Sequence, residues 1–264
     1  MRLCSIASGS SGNCIYIGTE HTHILIDAGI SGKRIEEGLN QIGLTTAEMQ
    51  GILVTHEHSD HIKGLGVIGR KYGIPIYATG GTCQAICNSK STGQLDKSLF
   101  HEVEYDNDIT IGELKVHPFR VSHDAQQPTA YVTRYKEQTI GVATDMGVYD
   151  EYTVENLQGL DVLLLEANHD INMLQVGSYP YYLKQRILSE LGHLSNVSAG
   201  QLLDRLLHDG MKAVVLGHLS KENNYAELAY ETVRMEVTMG ECPYTANDFP
   251  IQVAKREGLT EIEI

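Results

Sequence analysis

The chain has 264 residues, 42% of them hydrophobic, which is enough for one large core; with no Trp and three Phe, that core must rest on Ile, Val, Leu and Tyr. A net charge of −14 excludes the broad basic footprint of a general nucleic-acid binder, although not a nuclease whose metal ions bring positive charge to one place. The five cysteines include no Cys-x-x-Cys pair, which argues against both a disulfide framework and a cysteine-type zinc site.

The opening MRLCSIASGSSGNC lacks the apolar stretch of a signal peptide, and no apolar run approaches a membrane span, so a cytoplasmic protein without membrane contact is expected. Short strands are predicted over Arg2 to Ile6, Cys14 to Ile17 and His23 to Ile26. A helix over Gly32 to Ile42 follows from Ile35, Leu39 and Ile42 at helical spacing. Gly51 to Thr55 reads as a buried strand, His61 to Tyr72 and Thr82 to Asn88 as helices with strand Ile74 to Ala78 between them, and Asn88 to Ser98 as a surface loop. The middle is strand-rich, over Ile109 to Ile111, Leu114 to Phe119, Thr129 to Arg134, Thr139 to Thr144 and Val162 to Glu166. Helices are predicted over Pro180 to Leu191, Val197 to Leu207 and Tyr225 to Thr238, with strands Ala213 to Leu216 and Ile251 to Ala254. Many strands with helices in both halves suggest an α/β fold, two sheets between helical layers, in a single domain over residues 1–264.

The richest segment is Thr55-His56-Glu57-His58-Ser59-Asp60-His61, directly after a strand. His56 and His58 are two apart, so in extended backbone they face one side and suit one metal; Asp60 and His61, where the chain turns into a helix, can face a second. His123, Asp145 and His218 each sit where a strand runs into a loop, and Asp145 has an oxygen for each metal. Imidazole and carboxylate ligands fit zinc, manganese or iron. His21, His23, His101, His117 and His208 read as ordinary surface or loop residues, and Cys83 and Cys87 as packing thiols.

This order of motifs, from His56-x-His58-x-Asp60-His61 through His123 and Asp145 to His218, resembles the metallo-β-lactamase superfamily. The segment Ile24-Leu25-Ile26-Asp27-Ala28-Gly29 is similar to that superfamily's early Asp-containing segment, which supports the metal-binding loop. More specifically, Ala7 to Cys14, Val121-Ser122-His123-Asp124-Ala125, Glu166-Ala167-Asn168-His169-Asp170 and Gly192-His193-Leu194-Ser195-Asn196 are similar to the YycJ/WalJ/VicX group. The resemblance implies a four-layered αβ/βα sandwich holding two divalent metal ions. One would take His56, His58, His123 and Asp145, and the other Asp60, His61, Asp145 and His218. It also implies a nuclease linked to bacterial cell-wall control and DNA repair, most simply a 5′→3′ DNA exonuclease.

A metal pair can activate water and clamp an oxyanion in hydrolysing a lactam, a thioester or a phosphodiester, so other residues must select the reaction. His193 precedes the final metal motif, as does a non-ligand histidine in RNase Z and PhnP-type phosphodiesterases, which this arrangement resembles. A general acid there suits a phosphodiester, whose cleavage expels an alkoxide. His193 and Asp60 are therefore the candidate catalytic residues, with a metal-bridged hydroxide as the implied nucleophile. The intervals from His123 to Asp145 and from Asp145 to His218 leave no room for a tRNA-clamping arm or a β-CASP domain, which favours DNA, short nucleic acid or a small phosphodiester over folded tRNA. Ser8 to Asn13 could present backbone N–H groups to a phosphate, with Ser10, Ser11 and Asn13 as candidates. Lys184 and Arg186, on the helix before His193, could meet a nucleic-acid backbone but read first as a solvated helix face, and His169 as a residue behind the metals. The alternatives are hydrolysis of a small phosphodiester or thioester, a non-catalytic partner in cell-wall signalling, and a diiron electron carrier, for which no flavin-binding domain fits in this length.

Overall fold

A computed structural model describes all residues 1–264 and divides them between two seven-stranded mixed sheets. The first is built from β1 (Arg2–Ala7), β2 (Cys14–Gly18), β3 (His23–Ile26), β4 (Gly51–Leu53), β5 (Ile76–Thr79) and β6 (Phe100–Val103). The second contains β7 (Ile109–Ile111), β8 (Leu114–Arg120), β9 (Thr129–Tyr135), β10 (Gln138–Ala143), β11 (Val162–Glu166), β12 (Ala213–Gly217) and β13 (Ile251–Val253). The last strand, β14 (Thr260–Glu263), returns to the first sheet and pairs antiparallel with β1. The spatial orders are β14-β1-β2-β3-β4-β5-β6 and β13-β12-β11-β10-β9-β8-β7. In each sheet a meander of antiparallel strands gives way to parallel ones, from β3 to β6 and from β10 to β13.

Helices cover both outer faces. On the first sheet lie α1 (Gly32–Gln41), the short α2 (Ser59–Ile62), α3 (Leu65–Tyr72) and α4 (Gly80–Asn88). The remaining helices are α5 (Glu151–Leu157), α6 (Ile171–Val176), α7 (Tyr181–Ile187), α8 (Asn196–Leu206) and α9 (Ala226–Met239). Ile15, Ile17, Ile24, Ile26 and Leu53 of one sheet meet Leu114, Val116, Ile140, Val142, Leu164 and Val215 of the other, forming the core between the sheets. A second cluster joins the first sheet to α1, α3 and α4, and a third joins the second sheet to α5, α8 and α9. These three interfaces separate four layers, so the αβ/βα sandwich is present, and its core is overwhelmingly aliphatic.

Several elements depart from the sequence expectation. The helix predicted over His61 to Tyr72 is two helices, because the chain breaks at Gly64. The Gly64 N–H donates to the Ala28 carbonyl at 2.7 Å, and a Cβ on Gly64 would fall 2.1 Å from the Ile30 carbonyl oxygen. The helix predicted over Pro180 to Leu191 ends at Ile187, because the chain turns sharply at Gly192 and the His193 N–H donates to the Ile187 carbonyl. Strands β6 and β14 and helices α5 and α6 were not predicted. Both strands lie at sheet edges with mixed burial, so their side chains carry little alternation. All five cysteines are free thiols.

Tyr131, fully buried on β9, crosses the space between the sheets to donate its hydroxyl to the Val54 carbonyl at 2.8 Å. This bond fixes the start of the histidine-rich loop against the second sheet. Tyr131→Phe leaves a buried carbonyl unpaired, so about 1–3 kcal/mol of stability should be lost. Urea denaturation monitored by circular dichroism measures it, and an unchanged midpoint would show that the bond carries no weight.

Candidate metal centre

The seven residues singled out in sequence converge at one end of the two sheets. His56, His58 and His123 form one group of ligand atoms lying within 4.8 Å of one another; Asp60, His61 and His218 form another. Asp145 stands between them. Its Oδ2 is 3.3 Å from His61 Nε2, and its Oδ1 is 3.7 Å from His123 Nε2 and 3.6 Å from His218 Nε2. Asp60 Oδ2 reaches His218 Nε2 at 3.4 Å and His61 Nε2 at 3.5 Å.

Strand-end backbone geometry aims these groups. Asp27, Asp145 and His218 follow β3, β10 and β12 and all adopt left-handed φ, at 62°, 58° and 55°. That region is uncommon for non-glycine residues and costs on the order of 1–3 kcal/mol each, which the surrounding bonds must offset. At His218 the offsetting bond comes from the other sheet, where the Ser8 hydroxyl accepts the His218 N–H at 2.8 Å.

Acceptors then fix the ring protons. Asp27 Oδ2 accepts from His61 Nδ1 at 2.7 Å, the Gly192 carbonyl from His123 Nδ1 at 2.9 Å, and Glu166 Oε1 from His218 Nδ1 at 2.9 Å. Because these oxygens only accept, each Nδ1 carries a proton, which leaves Nε2 as the nitrogen facing the cluster and available to a metal. Thr55 does the same for His56: its hydroxyl donates to Asp27 Oδ2 and lies 3.1 Å from His56 Nδ1. His58 is reversed, with Nδ1 toward the cluster and Nε2 toward Asp124. Two buried atoms at the centre, His56 Nε2 and Asp145 Oδ2, have no hydrogen-bond partner, an expensive arrangement unless something else binds them. The imidazoles, the carboxylates and these orphaned atoms fit divalent metal ions.

The electrostatics agree. Burial, reinforced by neighbouring histidines, pushes His56 well below its usual range, and burial also lowers His123 despite Asp145. Burial disfavours charge on His61 and His218 too, but Asp145 and the nearby carboxylates outweigh it, raising His61 well above its usual range and His218 to about 10. Asp60 is held low, because His61 and His218 override its burial.

His193 lies beside this cluster. Its Nδ1 is 2.8 Å from Glu166 Oε1 and 3.6 Å from Asp145 Oδ1, and the ring lines an open cleft of about 340 Å³ with Ser10, His58, Ser59, Asp60, Asp145, Arg186 and His218. Arg186 is the one Lys or Arg in that lining, and it is exposed there, as a residue on a solvated helix face would be. It pairs side-on with Asp124, through Nε to Oδ2 and through Nη2 to Oδ1 at 2.9 Å. Lys184 instead donates to the Gln175 carbonyl at 2.7 Å, bracing α7 against α6.

Three N–H groups of the loop over residues 8–13 are already used, while those of Ser10 and Ser11 have no hydrogen-bond partner and Ser10 lines the cleft. Gly9 N–H donates to the Asn13 side chain, Gly12 N–H to the Gly9 carbonyl, and Asn13 N–H to the Asp60 carbonyl. Ser10 and Ser11 are exposed at its tip. His169 is buried with both ring nitrogens unpartnered, and burial lowers its pKa to about 4; it belongs to neither ligand group. His117 is taken up by Asp108 and Asn156, and His208 by the Leu160 carbonyl. The role of Glu166 was not legible in sequence. It is fully buried, its other oxygen accepts the Met146 and Leu194 N–H groups, and it holds His193 and His218 together. The signals available were a lone acid ending an apolar strand and its place at the head of the YycJ/WalJ/VicX-like segment Glu166 to Asp170.

The family model described as Beta-lactamase superfamily domain matches residues 22–219. The chain belongs to the metallo-β-lactamase superfamily. Within it, the chain is 45% identical over 228 residues to Exodeoxyribonuclease WalJ of Streptococcus pneumoniae, covering 86% of this chain and 85% of that protein. It is 40% identical over 229 residues to Exodeoxyribonuclease YycJ of Bacillus anthracis, covering 86% of each, which places it in the YycJ/WalJ group. The metallo-β-lactamase fold itself is shared with Zn²⁺-bound PqqB from Methylobacterium extorquens, at a TM-score of 0.72 and 14% identity over the full length of both chains. No helix of this superfamily member is long and apolar enough to cross a membrane.

Two expectations follow. Nearby carboxylates raise His61 and His218 in the metal-free protein, and a bound metal would have to displace any proton on the inward nitrogen. Loading chelator-stripped protein should therefore release protons, and affinity should fall as pH falls; titration in weak buffer with a pH indicator checks both. Asp27→Asn removes the charge and turns one of the two oxygens that accept from Thr55 and His61 into a donor, so metal affinity should drop about 10–100-fold, as read by competition with a chromogenic chelator.

Proposed function

We propose that this protein is a dinuclear metal-dependent phosphodiesterase that degrades DNA as a 5′→3′ exonuclease. In this reading His56, His58, His123 and Asp145 hold one divalent ion, and Asp60, His61, Asp145 and His218 hold the other. Zinc, manganese and iron all suit these ligands. When bound, the ions would supply an activated water at neutral pH and charge to polarise a phosphoryl oxygen.

The observation that carries the choice of phosphodiester is His193, held by Glu166 at the wall of the cleft and outside the proposed ligand set. Burial opposes its protonation, but Glu166 more than compensates, so the ring keeps its proton above the usual histidine range. With Nδ1–H donated to Glu166, Nε2–H is the proton available to an expelled alkoxide. Asp60, exposed to the same cleft, is the second candidate catalytic group, orienting water or substrate. The relatives named exodeoxyribonucleases at 40–45% identity support DNA as the substrate. The pairing of β1 with β14, which brings the two ends of the chain into one sheet, supports residues 1–264 acting as one domain.

Chelator-stripped protein should be inactive and should recover digestion of end-labelled DNA when zinc, manganese or iron is restored. DNA labelled at either end reports polarity, and RNA run in parallel reports sugar preference. Activity on a chromogenic thioester alone would overturn the reading. His193→Ala at unchanged metal content should lower kcat on DNA by about 10²–10⁴-fold, and turnover equal to the unsubstituted protein on every phosphodiester would remove His193 from the mechanism.

A further inference from the structure

We infer that α7 is the docking element for a single strand of nucleic acid, with Tyr182 stacking on a base and Arg186 meeting the adjoining phosphate as the strand enters the cleft. The inference rests on the phosphodiesterase reading and extends it to how the polymer is held.

Three observations converge on this helix. Five of the ten exposed large hydrophobic residues, Val176, Tyr181, Tyr182, Leu188 and Leu191, fall between residues 176 and 191, with Tyr181 and Tyr182 77% and 74% exposed. A run of exposed apolar side chains of this density marks a candidate interaction surface. Second, Arg186 is the one Lys or Arg lining the cleft. Its Nε and Nη2 are committed to Asp124, which leaves Nη1 to donate to an anion. Third, Tyr182 lies four residues before Arg186 within α7, so both project from one helix face, one turn or about 5.4 Å apart along the axis. A strand whose phosphate meets Arg186 therefore passes a tyrosine at its next base.

The occupant follows from charge. In a chain of net charge −14, only an anion gains from a guanidinium at the cleft mouth. An aromatic ring one turn away suits a polymer of anionic links and flat bases, and such stacking is tolerant of sequence. The base must be unpaired to stack, so the element selects a frayed or single-stranded end. The segment is anchored behind this face: the Ser122 hydroxyl donates to the Glu190 carbonyl and the Asp124 N–H to the Leu191 carbonyl, so the position of the helix is set before substrate arrives.

The test uses the metal-loaded full chain and a fluorescein-labelled, phosphorothioate-linked single-stranded oligonucleotide read by anisotropy. Tyr182→Ala should weaken binding roughly tenfold, while Tyr182→Phe, which keeps the ring, should stay within about twofold. On cleavable DNA the Tyr182→Ala defect should appear mainly in KM, and the ratio of oligonucleotide to chromogenic phosphodiester efficiency should fall by a similar factor. Unaltered oligonucleotide affinity in Tyr182→Ala, with DNA still digested by the unsubstituted protein, would overturn this inference and leave the phosphodiesterase reading intact. Unsubstituted protein that cuts no DNA under any metal would overturn both. A Tyr182→Ala protein that shifts from dimer to monomer by light scattering without losing oligonucleotide affinity would reassign the face to a second copy of the chain.

Discussion

An imidazole can offer a metal its lone pair at one nitrogen only while its proton is held at the other. In this protein the proton is held by oxygens that can only accept: Asp27 for His61, Glu166 for His218 and the Gly192 carbonyl for His123. Much else follows from that requirement. Two of the acceptors are fully buried carboxylates, which are tolerable only because each accepts several bonds. Asp27 accepts from both Thr55 groups as well as from His61, so the same residue that orients a ring also pins the loop bearing four of the seven convergent residues.

The sheets supply rigidity where the loops cannot. Asp145 and His218 leave β10 and β12 of one sheet and Asp27 leaves β3 of the other, each in left-handed backbone that would be unfavourable in isolation. Ser8 and Tyr131 cross between the sheets to the His218 N–H and the Val54 carbonyl, so the site is tied to both halves of the sandwich. The centre also crowds carboxylates and histidines whose protonation is mutually dependent. The acids raise His61 and His218, and a bound metal would compete with their protons. Folding, proton binding and metal binding are thereby linked.

In the proposed reading, an acidic protein confines positive charge instead of spreading it. The proposed metal pair and Arg186 would concentrate it within one cleft, where the scissile phosphate has to sit. Glu166 links the two sides of that chemistry, because the oxygen that orients His218 also holds His193 at the cleft wall and favours its protonation.

The sequence by itself determined the sandwich, the loop over residues 55–61 and the strand-end residues His123, Asp145 and His218, because burial periodicity and a dense ligand motif are local properties of the chain. It could not show that Glu166 and the Gly192 carbonyl set the ring tautomers, since those acceptors come from segments far from their histidines and look like ordinary strand-end and turn positions. Nor could it show the break at Gly64, which exists only because the backbone near Ala28 and Ile30 packs there. Lys184 and Arg186 are two residues apart on one helix and indistinguishable in composition. Only tertiary packing sends Lys184 back to the Gln175 carbonyl and turns Arg186 to Asp124 and the cleft, because a long charged side chain takes its direction from the partners the fold brings within reach.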